Sequence, residues 1–366
     1  MKIGILTFWW SEDNYGQILQ CYALQKYLRD QGHDAYLIRY IWNNDIKATF
    51  LQKVLKGLNP KQLIKYLIRV FQKLKIANEQ KLNTRHFSDF RNEYIIQSER
   101  LYNSYAELKK NPPEADIYIV GSDQVWRFGD RSLNRDMKKL HVFFLDFGDS
   151  SIRRMSYAAS WGTTNLKADF IKEIKPLIKR FDFVSVREKN GIDLCKKCGI
   201  NNAKWVPDPT LLLPADVYRS LYKKEIYKTI RKPYILLYML KNDCNFNIQA
   251  VFDYAKKNDL NVVYITGNGI IDQYKKTFAT IPEWLYLIDN SKYVVTNSFH
   301  CCVFSILFQK QFGVIPLSGR HVGMNSRIDS LFELMEIKER FITNNSFSIL
   351  DEKYTVNYKV ENFEIK

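Results

Sequence analysis

The chain has 366 residues, 46% of them hydrophobic and 26% charged, a composition that excludes a disordered chain and a length that suits two domains better than one. No apolar run approaches the roughly 20 residues needed to cross a bilayer. No leader-type cleavage pattern follows Met1-Lys2, and six cysteines over this length do not make a disulfide framework, so a cytoplasmic protein is expected, free or peripheral at the inner membrane face.

The net charge of +16 favours acidic partners such as nucleic acid, anionic lipid or phosphorylated substrates. From the N-terminus, Ile3 to Phe8 reads as a short buried strand. Cys21, Leu24, Tyr27 and Leu28 recur at helical spacing, Gly32 stops that helix, and Ala35 to Arg39 resumes an extended pattern. This βαβ opening predicts a parallel sheet. Asn59-Pro60 then starts a predicted helix to Ala77, with Ile64, Leu67, Ile68, Phe71 and Leu74 on one face and Lys61, Lys65, Arg69 and Lys73 on the other. Between Ile46 and Asn78 there are eight basic residues and no acidic one. Such a face can lie against anionic headgroups, while the apolar stripe can equally pack on the first domain. With few interleaved aromatics and no recognition motif, nucleic acid is not an expected partner.

Further on, Asp116 to Val120 and Phe181 to Val186 read as strands, ending at Gly121-Ser122-Asp123 and Arg187. After Pro207-Asp208-Pro209 and Pro214 the pattern starts again, with strands over Tyr234–Leu240, Asn261–Thr266, Tyr293–Asn297 and Phe312–Pro316 separated by helical segments. The expected architecture is α/β: two Rossmann-like domains with parallel sheets, 1–213 with a basic helical insertion at about 46–100, and 214–366, whose last segment from Asp351 returns to brace the first domain. In open α/β sheets ligands sit beyond the carboxyl ends of the strands, and His300, Arg187, Asp123 and Asn14 all fall there. Cys195-Lys-Lys-Cys198 is a single CxxC with no second pair, so no metal is expected. No G-x-G-x-x-G is present, so no dinucleotide is expected either.

The most informative stretch is Tyr293-Val-Val-Thr-Asn-Ser-Phe-His300, a strand that hands over to a helix at Asn297-Ser298. The first N–H groups of such a helix are unpaired and seat an anion, and a histidine there can donate a proton to what the seat holds; a core histidine opening a helix would read the same way. The stretch resembles the Thr-(Asp/Asn)-Ser-Phe-His-Gly motif of the polysaccharide pyruvyl transferase family. Companion motifs follow in the family's order: Asn14-Tyr15-Gly16, Gly121-Ser-Asp-Gln-Val-Trp126, Ser156-Tyr-Ala-Ala-Ser160, Ser185-Val-Arg187-Glu188, Pro207-Asp-Pro-Thr210 and Asn325-Ser-Arg327. Two departures stand out. Cys301 replaces the expected Gly, and the Arg-Leu-His form of other branches is replaced by Ser298-Phe299-His300.

The resemblance implies a glycosyltransferase-B-like pair of domains with the active site in the cleft. It also implies transfer of pyruvate from phosphoenolpyruvate, as donor substrate and not a cofactor, onto two hydroxyls of a sugar in a cell-surface or capsular polysaccharide precursor, lipid-diphosphate-linked. A nucleotide-sugar glycosyltransferase of the same shape is the alternative. That chemistry assigns His300 as general acid and Arg187 as the first anion ligand, unless Arg187 is only a surface arginine after a strand. Arg320 or Arg327 would supply a second positive charge, and Asn297 and Ser298 donors at the helix start. Asp123 would take the sugar proton, or else cap the following helix. With Ser122 it would form an acceptor platform on which Trp126 stacks against a pyranose. Asn14, Tyr15 and Gly16 would touch the acceptor or only set the turn. Asp208, between two prolines, reads as structural at the hinge.

Overall fold

The computed structural model describes residues 1–41, 84–127, 140–222, 232–242, 244–268, 270 and 272–356, with the side chains of Arg320 and His321 excepted. The basic helix expected over 60–77 lies outside the described residues.

The first sheet is β2-β1-β3-β4, all parallel: β1 (Lys2–Leu6), β2 (Asp34–Leu37), β3 (Ile117–Val120) and β4 (Arg153–Ser156). Ser185–Val186 (β5) and Lys204–Trp205 (β6) form a short parallel ladder of their own, joined to β4 by a bridge between Met155 and Phe183. The second sheet is β10-β9-β7-β8, again all parallel, from β7 (Tyr234–Met239), β8 (Asn261–Thr266), β9 (Tyr293–Thr296) and β10 (Gln311–Val314). β7 is buried at all six positions, as expected of a parallel strand covered on both faces. Two parallel α/β sheets are the two Rossmann-like units that the pattern predicts.

The helix after β1, α1 (Tyr15–Asp30), is capped by the Asn14 side chain, which accepts from the Gln17 N–H at 3.4 Å. Beyond its end, Gly32 sits at φ 84°, the left-handed conformation that glycine adopts without strain. From Ile18 to Gln25 every side chain is buried, not one stripe only, because α1 packs on its own sheet and also on the helix after β9 (Phe299–Leu307). Tyr15 stacks on Trp284 at 4.9 Å and Tyr22 meets Tyr218 edge-on at 6.4 Å, so one hydrophobic core runs through both halves. The described part of the C-terminal segment packs on the second half: the Tyr354 hydroxyl donates to the carbonyls of Ser305 and Lys310. No helix among the described residues is long and apolar enough to cross a membrane.

Candidate active site

The carboxyl ends of both sheets face one cleft of about 430 Å³. Its walls come from the loop after β1 (Ser11, Asp13, Asn14, with Gln17 of α1), from the loop after β3 (Asp123, Gln124, Arg127), from Leu240 to Asn242 after β7, from Asn297 to His300 after β9, and from Leu317, Met324 and Arg327 after β10. This is the position at which open α/β sheets bind ligands.

At the floor lies Asp208, buried between Pro207 and Pro209 and bonded on every side. Its Oδ2 accepts from Arg187 Nη1 at 2.8 Å and from the Ser122 hydroxyl at 2.9 Å, and stands 3.4 Å from His300 Nε2. Its Oδ1 accepts from the Thr210 N–H at 3.1 Å and the Thr210 hydroxyl at 2.8 Å. Burial works to raise the Asp208 pKa, but His300 and then Arg187 hold it well below the usual carboxylate range. Asp208 is therefore an anion at neutral pH that neutralises the guanidinium and lies beside the imidazole, whose Nε2 makes no hydrogen bond among the described residues. Reading it as a hinge residue missed this role; the only signal was a carboxylate placed between two prolines.

His300 is the second residue of the helix Phe299–Leu307, capped by Ser298, whose hydroxyl accepts from the Cys301 N–H at 3.5 Å. Its Nε2 turns inward to Asp208, and the Cγ–Nδ1 edge of the ring lies on Gly16. A Cβ at Gly16 would stand 2.1 Å from His300 Cγ, so this glycine is the space that the ring occupies. Cys301, the departure from the family's glycine, points away from the cleft into the core, where burial pushes its thiol up to about 12.

The arginines divide in their roles. Arg187 is buried beneath the cleft wall, its Nε bonded to Glu188 at 3.3 Å and its guanidinium stacked on Phe299 at 4.4 Å. Its Nη2 has no hydrogen-bond partner and lies 4.0 Å from Asp123. Arg327 reaches the cleft itself, bonded only through Nε to the Met324 carbonyl at 3.2 Å. Burial, and then the charge of Arg187, lowers its pKa to about 10. Arg127 stands alongside, donating to Gln124 at 3.1 Å and to Met324 Sδ at 3.3 Å. Neither Arg127 nor Arg327 has a carboxylate within ion-pair distance among the described residues. Arg127 and Lys241 are cleft cations that no motif signalled. The Arg320 side chain lies outside the described residues.

Asp123 lines the cleft beside these arginines at φ 66°, its Oδ1 accepting from the Gln124 N–H at 2.8 Å. The other residues expected at the acceptor are built into the scaffold. Trp126 is fully buried, stacked on Phe144 at 5.2 Å with its indole N–H on the Phe143 carbonyl at 3.0 Å, so it presents no face to a sugar. Tyr15 is equally buried and donates to the Ala279 carbonyl at 2.7 Å. Ser122 anchors Asp208 and does not line the cleft. Asn297 spends its amide on the β7 loop, accepting from the Leu240 N–H at 2.8 Å and donating to the Lys241 carbonyl at 2.7 Å. Among the described residues no cluster of His, Cys, Asp and Glu suits a metal, and Cys195 and Cys198 are buried free thiols.

Over its whole length the chain resembles solved structures of the glycosyltransferase-B type. UDP-GlcNAc 2-epimerase of Methanocaldococcus jannaschii, in complex with UDP-GlcNAc and UDP, superposes with a TM-score of 0.54 at 12% identity, covering 99% of this chain and 96% of that one. S. aureus MnaA with UDP gives a TM-score of 0.48 at 12% identity, covering 92% and 88%. At these identities the likeness establishes the fold alone. No curated protein matches the sequence significantly. The model of the polysaccharide pyruvyl transferase family matches residues 14–319, which take in Asn14, Asp123, Arg187, Asp208 and His300, and the chain belongs to that family.

Proposed function

We propose that this transferase moves pyruvate from phosphoenolpyruvate onto two hydroxyls of one sugar, closing a cyclic ketal on a lipid-linked precursor of a cell-surface or capsular polysaccharide. The observation that carries the reading is Arg327 and Arg127 lining the cleft without an ion-paired carboxylate among the described residues, beside a helix N-terminus that presents His300, with Arg187 buried beneath. Guanidiniums gathered in one place with unspent donors ask for a polyanion, and phosphoenolpyruvate brings a carboxylate and a phosphate. Lys241 and the first N–H groups of the helix add to the same side.

In this reading donor and sugar lie together in the cleft, the donor against Arg127 and Arg327 and the attacking hydroxyl at Asp123. A sugar hydroxyl attacks C2 of phosphoenolpyruvate while protonated His300 delivers its proton to C3, turning the methylene into a methyl group. The Asp208 carboxylate stands 3.4 Å from the imidazole Nε2 and places a negative charge beside the ring. Asp123 accepts the proton of the attacking hydroxyl and returns it to His300 or solvent. The second hydroxyl then displaces phosphate at C2, its proton leaving with the phosphate. Two O–H bonds, the C2–C3 π bond and the C2–O bond to phosphate break; two C–O bonds, one C–H bond and one O–H bond on the released phosphate form.

The test is to incubate the protein with phosphoenolpyruvate and a panel of lipid-linked mono- and disaccharides, following phosphate release and the mass of the sugar. Phosphate release with the mass gain of a pyruvate ketal supports the reading. Release of UDP from sugar nucleotides, with none of phosphate from phosphoenolpyruvate, would replace it with a glycosyltransferase.

A further inference from the structure

A second, smaller cavity of about 200 Å³ opens on the other side of the loop after β1. Asp13 lines the main cleft, while its neighbour Glu12 lines this cavity, and Asp13 Oδ2 accepts from the Asn268 N–H at 2.7 Å, so the two spaces share one wall. The cavity contains Arg85, only 5% exposed. Its Nη2 donates to the Thr266 carbonyl at 2.7 Å, and its guanidinium lies over Phe278 at 5.4 Å. Its Nε and Nη1 are buried with no partner, and no carboxylate pairs with it among the described residues. An arginine so placed bears a desolvation cost that the Thr266 and Phe278 contacts offset only in part, with no carboxylate against it among the described residues.

Part of the lining suits an oxyanion. Thr84 brings a hydroxyl and Asn268 an amide, while the Ser88 hydroxyl donates to Asp89 Oδ1 at 3.3 Å. The wall carrying Ser88 is the first turn of the helix Phe87–Tyr94, whose cap His86 makes no side-chain cap bond, while its carbonyl accepts from the Asp89 N–H at 3.2 Å. Of the carboxylates nearby, Glu12 in the wall is paired with Arg91, and Asp89, which touches the lining residues Ser88 and His86, lies 3.0 Å from His86 Nδ1.

The geometry points to this cavity as a phosphoryl-binding site, separate from the donor arginines, that holds the phosphate or diphosphate through which the acceptor sugar is carried. The assignment to the acceptor rests on the proposed pyruvyl transfer; the oxyanion site itself does not. A sugar bound beside Asp123 has its anomeric tether directed past the Glu12-Asp13 loop into the Arg85 cavity.

Two measurements separate the claims. Crystals soaked in inorganic pyrophosphate, and calorimetric titration with it in the presence of saturating phosphoenolpyruvate, read the site directly. An anion on Arg85 Nη1, with affinity falling on the order of tenfold or more in Arg85→Gln and mostly restored in Arg85→Lys, is expected. Density only among Arg127, Arg187 and Arg327, or equal affinity in Arg85→Gln, would overturn the site whatever the enzyme's activity. Kinetics read the assignment: Arg85→Gln should raise KM for a diphosphate-linked sugar on the order of tenfold while leaving KM for phosphoenolpyruvate, and turnover of a phosphate-free sugar, unchanged. A uniform fall for both acceptors would overturn the acceptor role. Since Arg85 is an unpaired buried charge, Arg85→Gln should melt no lower than the parent, which keeps loss of fold from imitating either result.

Discussion

Gly16→Ala isolates the dependence of the site on one contact. The new methyl would stand 2.1 Å from His300 Cγ and 2.2 Å from Nδ1, about 1.4 Å inside a normal carbon contact of ~3.5 Å. The α1 backbone cannot yield easily, because Tyr15 beside it is clamped on Trp284 and bonded to Ala279. The imidazole must therefore swing away, losing its 3.4 Å approach to Asp208. Overpacking of this kind costs about 1–3 kcal/mol, and Ala over Gly in a helix returns up to about 1 kcal/mol, leaving a net loss of about 0–2 kcal/mol. Catalysis should suffer far more, by about 10²-fold or more in kcat, since a displaced acid is worth little more than an absent one. Melting temperature and steady-state rates on the same preparations provide the assay. The double variant Gly16→Ala/His300→Ala should recover stability while being no less active than His300→Ala alone, because both changes strike one group. Near wild-type turnover in Gly16→Ala, with a normal melting temperature, would refute the placement of His300 against this glycine as the catalytic arrangement.

Asp208→Asn should cost about 3–5 kcal/mol, the scale for leaving a buried partner charge uncompensated. The Asp208 pKa is depressed in the fold, so its contribution is present above the unfolded value of about 3.9 and is lost as pH falls below it. The stability gap between parent and variant should narrow below about pH 4, and a gap independent of pH would contradict the depressed carboxylate. Arg327→Gln should raise KM for phosphoenolpyruvate by about tenfold or more, the worth of a charge-assisted contact, with little effect on acceptor KM; an unchanged donor KM would remove Arg327 from the site. Glu substitutions at Lys61, Lys65 and Lys73 should abolish co-sedimentation with anionic vesicles at low salt, each basic residue adding about 1 kcal/mol near the surface. Equal binding of both proteins would leave the basic segment without a membrane role.

Strand periodicity and strand-end turns were sufficient to place Asp123, Arg187, His300 and Asn14 at strand ends; Asp123, His300 and Asn14 line one cleft beyond the two four-stranded sheets, and Arg187, at the end of the short β5 ladder, is buried beneath its wall. What the local pattern did not contain is which side of each turn faces the cleft. Trp126 and Tyr15 follow cleft residues in sequence yet point into the core, since successive residues in a tight turn diverge. Asp208 was hidden because its partners Ser122, Arg187 and His300 come from three other segments. β4 escaped notice because Arg153-Arg154 reads as polar, yet Arg154 is buried, its guanidinium donating to the carbonyls of Leu145, Phe147 and Asp149. Tertiary hydrogen bonding overrode a local preference there.

The most direct test of pyruvyl transfer is to run the reaction with phosphoenolpyruvate in deuterated water and a lipid-linked sugar, and to examine the product by mass spectrometry. Proton delivery to C3 by a group that exchanges with solvent predicts a sugar bearing a pyruvate ketal whose methyl group carries one deuterium, formed together with phosphate and missing from His300→Ala. A ketal without deuterium would contradict the acid assigned to His300. An unmodified sugar alongside intact phosphoenolpyruvate across the acceptor panel would contradict the transfer itself.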